Sequence, residues 1–162
     1  MEKRLRRIEI GIILVFVMNI VIISNQFMQK SDKSVQPISQ ESKVLPQEFN
    51  NTVQDRVLQE IKDSYNQKDY DKFYEVFSEW AQLQIPIETV ESQFDKLIKV
   101  TGEIKDYVFS NYEHTGLDEG ADWYLVYYKT KFENGIGTTK LTLRVIGANW
   151  EIVGINITLD EI

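Results

Sequence analysis

An α+β fold, helices first and strands second, is predicted from three observations. Apolar residues recur at helical spacing from Phe49 to Thr101. From Glu103 onward the texture changes to β-branched and aromatic residues broken by Gly- and Asn-containing turns. Ahead of both lies a basic cluster followed by an apolar run of transmembrane length, so a single membrane helix precedes the folded unit.

That run comes first in the chain. Lys3, Arg4, Arg6 and Arg7 stand directly before Ile8–Met28, a segment that makes roughly 31 Å of helix at 1.5 Å per residue. Basic residues stay on the cytoplasmic side, which sets the N-terminus inside and sends the rest outward. The exit reads Val21-Ile22-Ile23-Ser24-Asn25-Gln26, without the small-residue pair that signal peptidase needs, so the segment is expected to remain as an anchor. With no cysteine in the chain, a lipid anchor at a processed cysteine is excluded. Glu9 can reach the interface beside Arg6. Asn19, in the middle of the run, can hydrogen-bond to another membrane helix and favour association there. Ile-, Lys- and Asn-rich usage points to an AT-rich bacterial genome. The expected address is the cytoplasmic membrane of a bacterium, with residues 1–7 inside, 8–28 in lipid and the remainder outside.

Residues 29–45 are rich in Ser, Gln and Lys and cannot bury enough apolar surface to order themselves. As a flexible linker they would span about 24 Å, at roughly 5–6 Å times the square root of length. The folded unit is then 46–162, within the size of one domain. Residues 31–162 carry 13 basic and 23 acidic side chains, a net charge of −10. A phosphate backbone needs a clustered basic surface, so no nucleic-acid partner is expected. Without cysteine there are no disulfides or thiolate sites, and with His114 as the single histidine a histidine-rich metal site is excluded. No metal or cofactor is expected.

Within the folded unit, Phe49, Val53, Val57, Ile61 and Tyr65 recur every four residues, with Leu58 beside them, and predict a first helix with Pro46 in its first turn. A second follows Asp69 or Asp71 as cap and carries Tyr70, Phe73, Phe77 and Trp80. Pro86 separates a third, bearing Val90, Phe94, Leu97, Ile98 and Thr101 and stopped by Gly102. Strands are expected near 103–113, 121–133, 138–147 and 150–159 as an antiparallel meander. Asn134-Gly135 signals a hairpin, drawn out into a longer turn by the stretch Glu133–Gly137, and Gly147-Ala148-Asn149 turns the third strand into the fourth. His114, Asp118, Glu119 and Asp122 fall in a polar loop between the first two strands.

The Tyr128-x-Thr130-x-Phe132 strand, the Lys140–Val145 strand and the closing Trp150-x-Ile152-x-Gly154 strand resemble the C-terminal hairpins of the nuclear-transport-factor-2-like (cystatin-like) superfamily. Phe94-x-x-Leu97 with Gly102 is similar to an uncharacterised bacterial family of short exported proteins within it. The resemblance covers residues 46–162 and implies three helices packed on a curved four-stranded sheet, a roll closed into a cone with one open end. Its motifs are structural. Members include isomerases, dehydratases, ligand binders and the periplasmic domains of type IV secretion assembly subunits, and the fold alone does not choose among them.

Three functions are weighed on that frame. A ketosteroid-isomerase-like enzyme needs an acidic base in an apolar pocket with tyrosine donors beside it. Tyr65, Tyr107, Tyr112, Tyr124, Tyr127 and Tyr128 could supply donors. Asp106 is the one strand carboxylate sharing a face with aliphatics (Ile104, Val108), and its position suits an exposed edge; Glu133 falls at a turn. His114 is more simply a solvated loop histidine. A small apolar ligand could instead sit in the cone, walled by Trp80, Trp123, Trp150 and the tyrosines, although those rings also suit plain core filling. The third function, a non-catalytic interaction module of a cell-envelope or secretion assembly, leads by elimination. Trp123, Tyr127, Tyr128 and Trp150 are its candidate contact residues, and Tyr127 and Tyr128, being adjacent on a strand, must face opposite sides. Its expected partners are membrane lipid through 8–28 and another membrane or envelope protein, with self-association left open. The sequons Asn50-Asn51-Thr52 and Asn156-Ile157-Thr158 carry no weight in a bacterial chain, and 116–122 (GLDEGAD) lacks the ligand spacing of a calcium loop.

Overall fold

The computed structural model describes residues 43–161. Lys3, Arg4, Arg6, Arg7, Asn19, the predicted span 8–28 and most of the linker lie outside the described residues. No helix among the described residues is long and apolar enough to cross a membrane.

The first helix starts later than its periodicity suggests. Pro46 leads into a short 3-10 turn, Gln47–Phe49, and Asn50 is extended, its side chain accepting the Val53 N–H at 3.2 Å. That bond satisfies one of the orphan donors at a helix start, so α1 runs Asn51–Gln67. Its stripe of Val57, Leu58, Ile61 and Tyr65 is buried. Lys68 ends it in the left-handed region (φ 56°).

The predicted second helix is two short ones. Asp69 caps α2, Tyr70–Glu75, by accepting the Lys72 N–H, and Ser78 caps α3, Glu79–Gln82, through Ala81. The break has a tertiary cause: the Ser78 N–H donates to the Ile152 carbonyl at 2.9 Å, pinning the chain to the last strand. The longer α4, Ile87–Thr101, begins after Pro86 and stops at Gly102 (φ 69°). A Cβ at Gly102 would stand 2.7 Å from the Glu133 Cβ, so space and backbone both require glycine there.

Four antiparallel strands follow in the order β1-β2-β3-β4: Ile104–Asp118, Ala121–Phe132, Ile136–Ile146 and Asn149–Glu161. The first is longer than expected and absorbs most of the predicted polar loop. Its turn is only Glu119-Gly120, both with positive φ (48° and 78°), the conformation that matches the twist of a tight hairpin. His114 and Asp118 are therefore strand residues of β1, and Asp122 belongs to β2. Three register shifts, between Ile104 and Asp106, between Phe109 and Asn111 and between His114 and Gly116, mark irregularities in the pairing of β1.

One face of the sheet meets the helices. Tyr124, Val126, Tyr128, Leu141, Leu143, Ile152 and Ile155 pack there against Ile61, Tyr65, Val90 and Phe94 in one continuous core. Fully burying such side chains stabilises by about 1.5–3 kcal/mol each before entropy is charged against it. The Tyr65 hydroxyl joins that of Thr101 at 2.7 Å, tying α1 to α4.

Candidate functional site

The segment before α1 and the inner side of β1 leave a groove of about 540 Å³ between them. Leu45, Pro46 and Phe49 form one apolar wall, and Phe109 and Tyr112 form the other. Phe109 is 48% exposed, which is unusual for a ring on the inner side of a sheet. It lies over Tyr128, ring centroids 6.0 Å apart. Around the apolar walls stand uncharged polar side chains: Gln47, Asn50, Asn51, Thr52 and Gln54. Two are already committed. Asn50 caps α1, while Gln54 donates to the Phe49 carbonyl (3.0 Å) and accepts from the Tyr128 hydroxyl (2.8 Å). No charged residue lines the groove.

At the β1–β2 end, Lys43 and the neighbouring Val44 meet three residues of β1 and β2. His114 Nε2 lies 2.9 Å from Asp122 Oδ1, and Lys43 Nζ lies 2.9 Å from the same carboxylate. The Tyr124 hydroxyl donates to the Val44 carbonyl, and its ring stands 5.0 Å from that of His114. Lys43, then His114, hold the Asp122 carboxyl below the usual carboxylate range, and Asp122 raises Lys43 in return. The arrangement fastens the incoming chain at 43–44 to the sheet. As chemistry it is self-satisfied: the carboxylate that would orient a histidine base is shared with a lysine, and neither His114 nor Asp122 lines the groove.

The aromatic candidates separate. Tyr128 is 1% exposed and hydrogen-bonded to Gln54, so it is a core residue beneath the groove and offers no surface to a partner. Burial pushes its hydroxyl pKa far up. Tyr127 points to the opposite face, half-buried beside Glu113. Trp150 is on the inner side, its ring edge-on to Phe49 at 4.9 Å. Trp123 is on the outer side, where it meets Trp80 at 6.0 Å, and Arg144 lies 5.3 Å over the Trp80 ring while pairing with Glu151. The Trp123 indole N–H is buried without a hydrogen-bond partner. Of the four candidate contact residues, Tyr128 and Trp150 thus lie on the inner face and Tyr127 and Trp123 on the outer one.

The enzyme candidates separate as well. Asp106 is exposed and accepts its neighbour Tyr107's N–H at 2.9 Å. Asp106 shares the outer face with Val108, which is 60% exposed, but a register shift separates it from Ile104, which is fully buried on the inner face. The Tyr107 hydroxyl is buried without a well-formed hydrogen bond, its neighbour Thr139 being engaged by Thr130, and burial drives its pKa far above the ordinary tyrosine range. Among the described residues no group of three or more His, Asp or Glu is placed to hold a metal ion. Sequence reasoning missed the groove, since no local signal announces that Leu45 and Phe109 face each other. Lys43 was missed because it was assigned to the linker.

What the geometry defines as a class is an α+β domain with a closed helix-on-sheet core and an open groove along its first strand. No family model matches the sequence, and no curated protein matches it. Among solved structures, the chain is similar to a protein of Novosphingobium aromaticivorans provisionally named an aromatic ring hydroxylase. The identity is 12%, the match covers 68% of this chain and 87% of that one, and the TM-score is 0.40. So loose a likeness carries no functional argument.

Proposed function

We propose that this chain is a membrane-anchored, extracytoplasmic binding module of the nuclear-transport-factor-2-like type, a non-catalytic part of a cell-envelope assembly. The observation that carries the reading is the chemistry of the interior. The buried polar side chains among the described residues are Gln54, Ser64, Thr101, Thr130 and Thr139, all uncharged. A helix-on-sheet roll working as a reaction chamber would need a carboxylate or imidazole facing its apolar interior. Here the interior hydroxyls and amides bond mainly to one another and to backbone. The helix-then-meander order fits the superfamily, and the basic cluster ahead of Ile8–Met28 supports the anchor and the outward orientation. A small apolar ligand is the second reading, favoured by the groove, whose volume suits one.

Crosslinking of the full chain in intact membranes, followed by mild detergent purification and mass spectrometry, tests the module. A discrete set of co-purifying membrane proteins, lost on removing residues 1–28, is the expected result. Recovery of the chain alone, carrying a bound small molecule, would replace this reading with the second. Protease protection checks the orientation: the domain should be digested in spheroplasts and spared in inside-out vesicles.

A further inference from the structure

We propose that the end of the sheet carrying the β1–β2 and β3–β4 turns seats in the lipid interface of the bilayer that holds the anchor. This goes beyond the anchored-module reading, on which it rests, by giving the domain a lipid-facing end. The first support is where the chain enters. Lys43 and Val44 are fastened at the β1–β2 end by the Asp122 carboxylate and the Tyr124 hydroxyl. Only residues 29–42 then stand between the predicted span 8–28 and this end. As a coil they cover about 20 Å, at roughly 5–6 Å times the square root of length. Strand β3 is 11 residues long, which sets the opposite end roughly 36 Å further off at about 3.3 Å per residue. Turning that far end to the lipid would draw the linker well beyond its coil length, whereas the near end reaches lipid without extension.

The second support is where apolar side chains are exposed. Val44, Trp80, Leu83, Leu117 and Ile146 all lie at the near end, and Leu83 and Leu117 are 88% and 66% exposed. Leu117 pairs with Asp122, the residue that holds Lys43. Ile146 pairs with Asn149 across the β3–β4 turn. Trp80 lies against Trp123, with Leu83 three residues further along the same short helix and its cap. Among the described residues, Val108 and Phe109 are exposed partway along β1, and the opposite end exposes only Val100 and Ile136 of this kind. One such residue would need no explanation; five around the point where a membrane linker enters form a surface, and a tryptophan ring suits headgroup depth. Charge selects the lipid. Asp122 and Glu151 are paired with Lys43 and Arg144, while Glu79, Asp118 and Glu119 are exposed and in no ion pair among the described residues. Those three carboxylates would be repelled by anionic headgroups but meet the outward ammonium of zwitterionic ones. The contact is therefore a shallow apolar insertion into zwitterionic lipid.

The chain has no cysteine, so single introduced cysteines can be labelled cleanly. Leu83→Cys, Leu117→Cys and, at the opposite end, Ile136→Cys each carry a nitroxide in the full chain, one chain per nanodisc of phosphatidylethanolamine and phosphatidylcholine. Power-saturation electron paramagnetic resonance compares collisions with apolar oxygen and with a water-soluble nickel chelate. The oxygen-to-nickel ratio at 83 and 117 should exceed that at 136 by at least about threefold. It should fall when anionic phosphatidylglycerol is mixed in. Leu83→Asp with Ile146→Asp should bring the ratio at 117 down to that at 136, and Val100→Asp should leave it unchanged; near-UV circular dichroism checks that these variants fold. Equal ratios at all three positions would overturn the seating. So would a rise with phosphatidylglycerol, since a basic surface would then be what meets the lipid. Shielding of 83 and 117 from nickel only in native membranes would make a partner protein the occupant, and shielding only with two chains per disc would make it a second copy; either overturns the lipid assignment. A chain that co-elutes with the discs at high salt yet shows equal ratios keeps the anchor and loses only the seating. A chain that separates from the discs has lost the anchor reading, and the seating with it.

Discussion

Strands β1 and β3 have comparable lengths in the same sheet and opposite characters. Along β3, buried and half-buried residues alternate without a break from Gly137 to Val145. Along β1 only Ile104 is buried, three register shifts interrupt the pairing, and Val108, Phe109 and Leu117 are exposed. A central strand has ladders on both sides and helices on its inner face, so its pattern must match the period of the pleat. An edge strand answers to one neighbour only and tolerates irregularity. The half of the sheet around β3 holds the fold together, and the edge strand β1 buries little.

The sharpest way to break that contrast is to shorten one side chain on each strand. Leu141 on β3 is fully buried, and Leu141→Ala should cost about 3 kcal/mol through lost transfer energy and a residual cavity. Val108→Ala on β1 should stay within about 0.5 kcal/mol, because its side chain is already in water. Urea unfolding of the two variants measures both. Similar losses would mean that β1 is covered by something outside residues 43–161 and is no open edge.

The same contrast explains which parts of the fold were legible in the sequence. The four-residue spacing from Val53 to Tyr65 and the β-branched and aromatic texture of β2 and β3 reflect burial against a large core, and both predictions stand. The reading failed where burial stops dictating pattern. Beyond Glu113, β1 reads as a loop because a bulge shifts the alternation and its residues face solvent; His114 and Asp118 were misplaced for that reason, and Asp122 with them. The single helix predicted over Tyr70–Trp80 ignored a bond from Ser78 to Ile152, which no local propensity encodes. Adjacent tyrosines had to face opposite ways, and Tyr128 is the inner one, in step with buried Tyr124, Val126 and Thr130 and bonded to Gln54. The groove was illegible, being a relation between residues about sixty positions apart.

A smaller effect distinguishes the two halves by pH. Burial raises the Tyr65 pKa from its ordinary value near 10 to about 12, with the Thr101 bond partly opposing. A tyrosine whose folded pKa lies above its unfolded one stabilises fully below pH 10, and that stability is lost as pH rises from about 10 to 12. At about 1.4 kcal/mol per unit, about 2–3 kcal/mol is at stake. Tyr65→Phe should therefore flatten the alkaline fall in stability over that window, apart from the parallel contribution of buried Tyr128. A fall as steep as in the parent would assign alkaline sensitivity to other groups.

The smallest expected effect lies at the β1–β2 end, where Lys43 and His114 share the Asp122 carboxylate. Its pKa is lowered chiefly by Lys43, so it contributes stability above the unfolded Asp pKa, near 3.9, that disappears as pH falls through the folded value. Lys43 is largely exposed, and such a pair is screened; Asp122→Asn should cost less than about 1 kcal/mol at neutral pH and nothing measurable once the pH has fallen below the folded value. Its larger consequence is local. With the carboxylate gone, Lys43 and Val44 keep only the Tyr124 hydroxyl as a tie to the sheet, so amide exchange at 43–46 should quicken while that of β3 stays unchanged. Unchanged exchange at 43–46 would mean that the Tyr124 bond and the packing of Leu45 against the core hold this segment without the carboxylate.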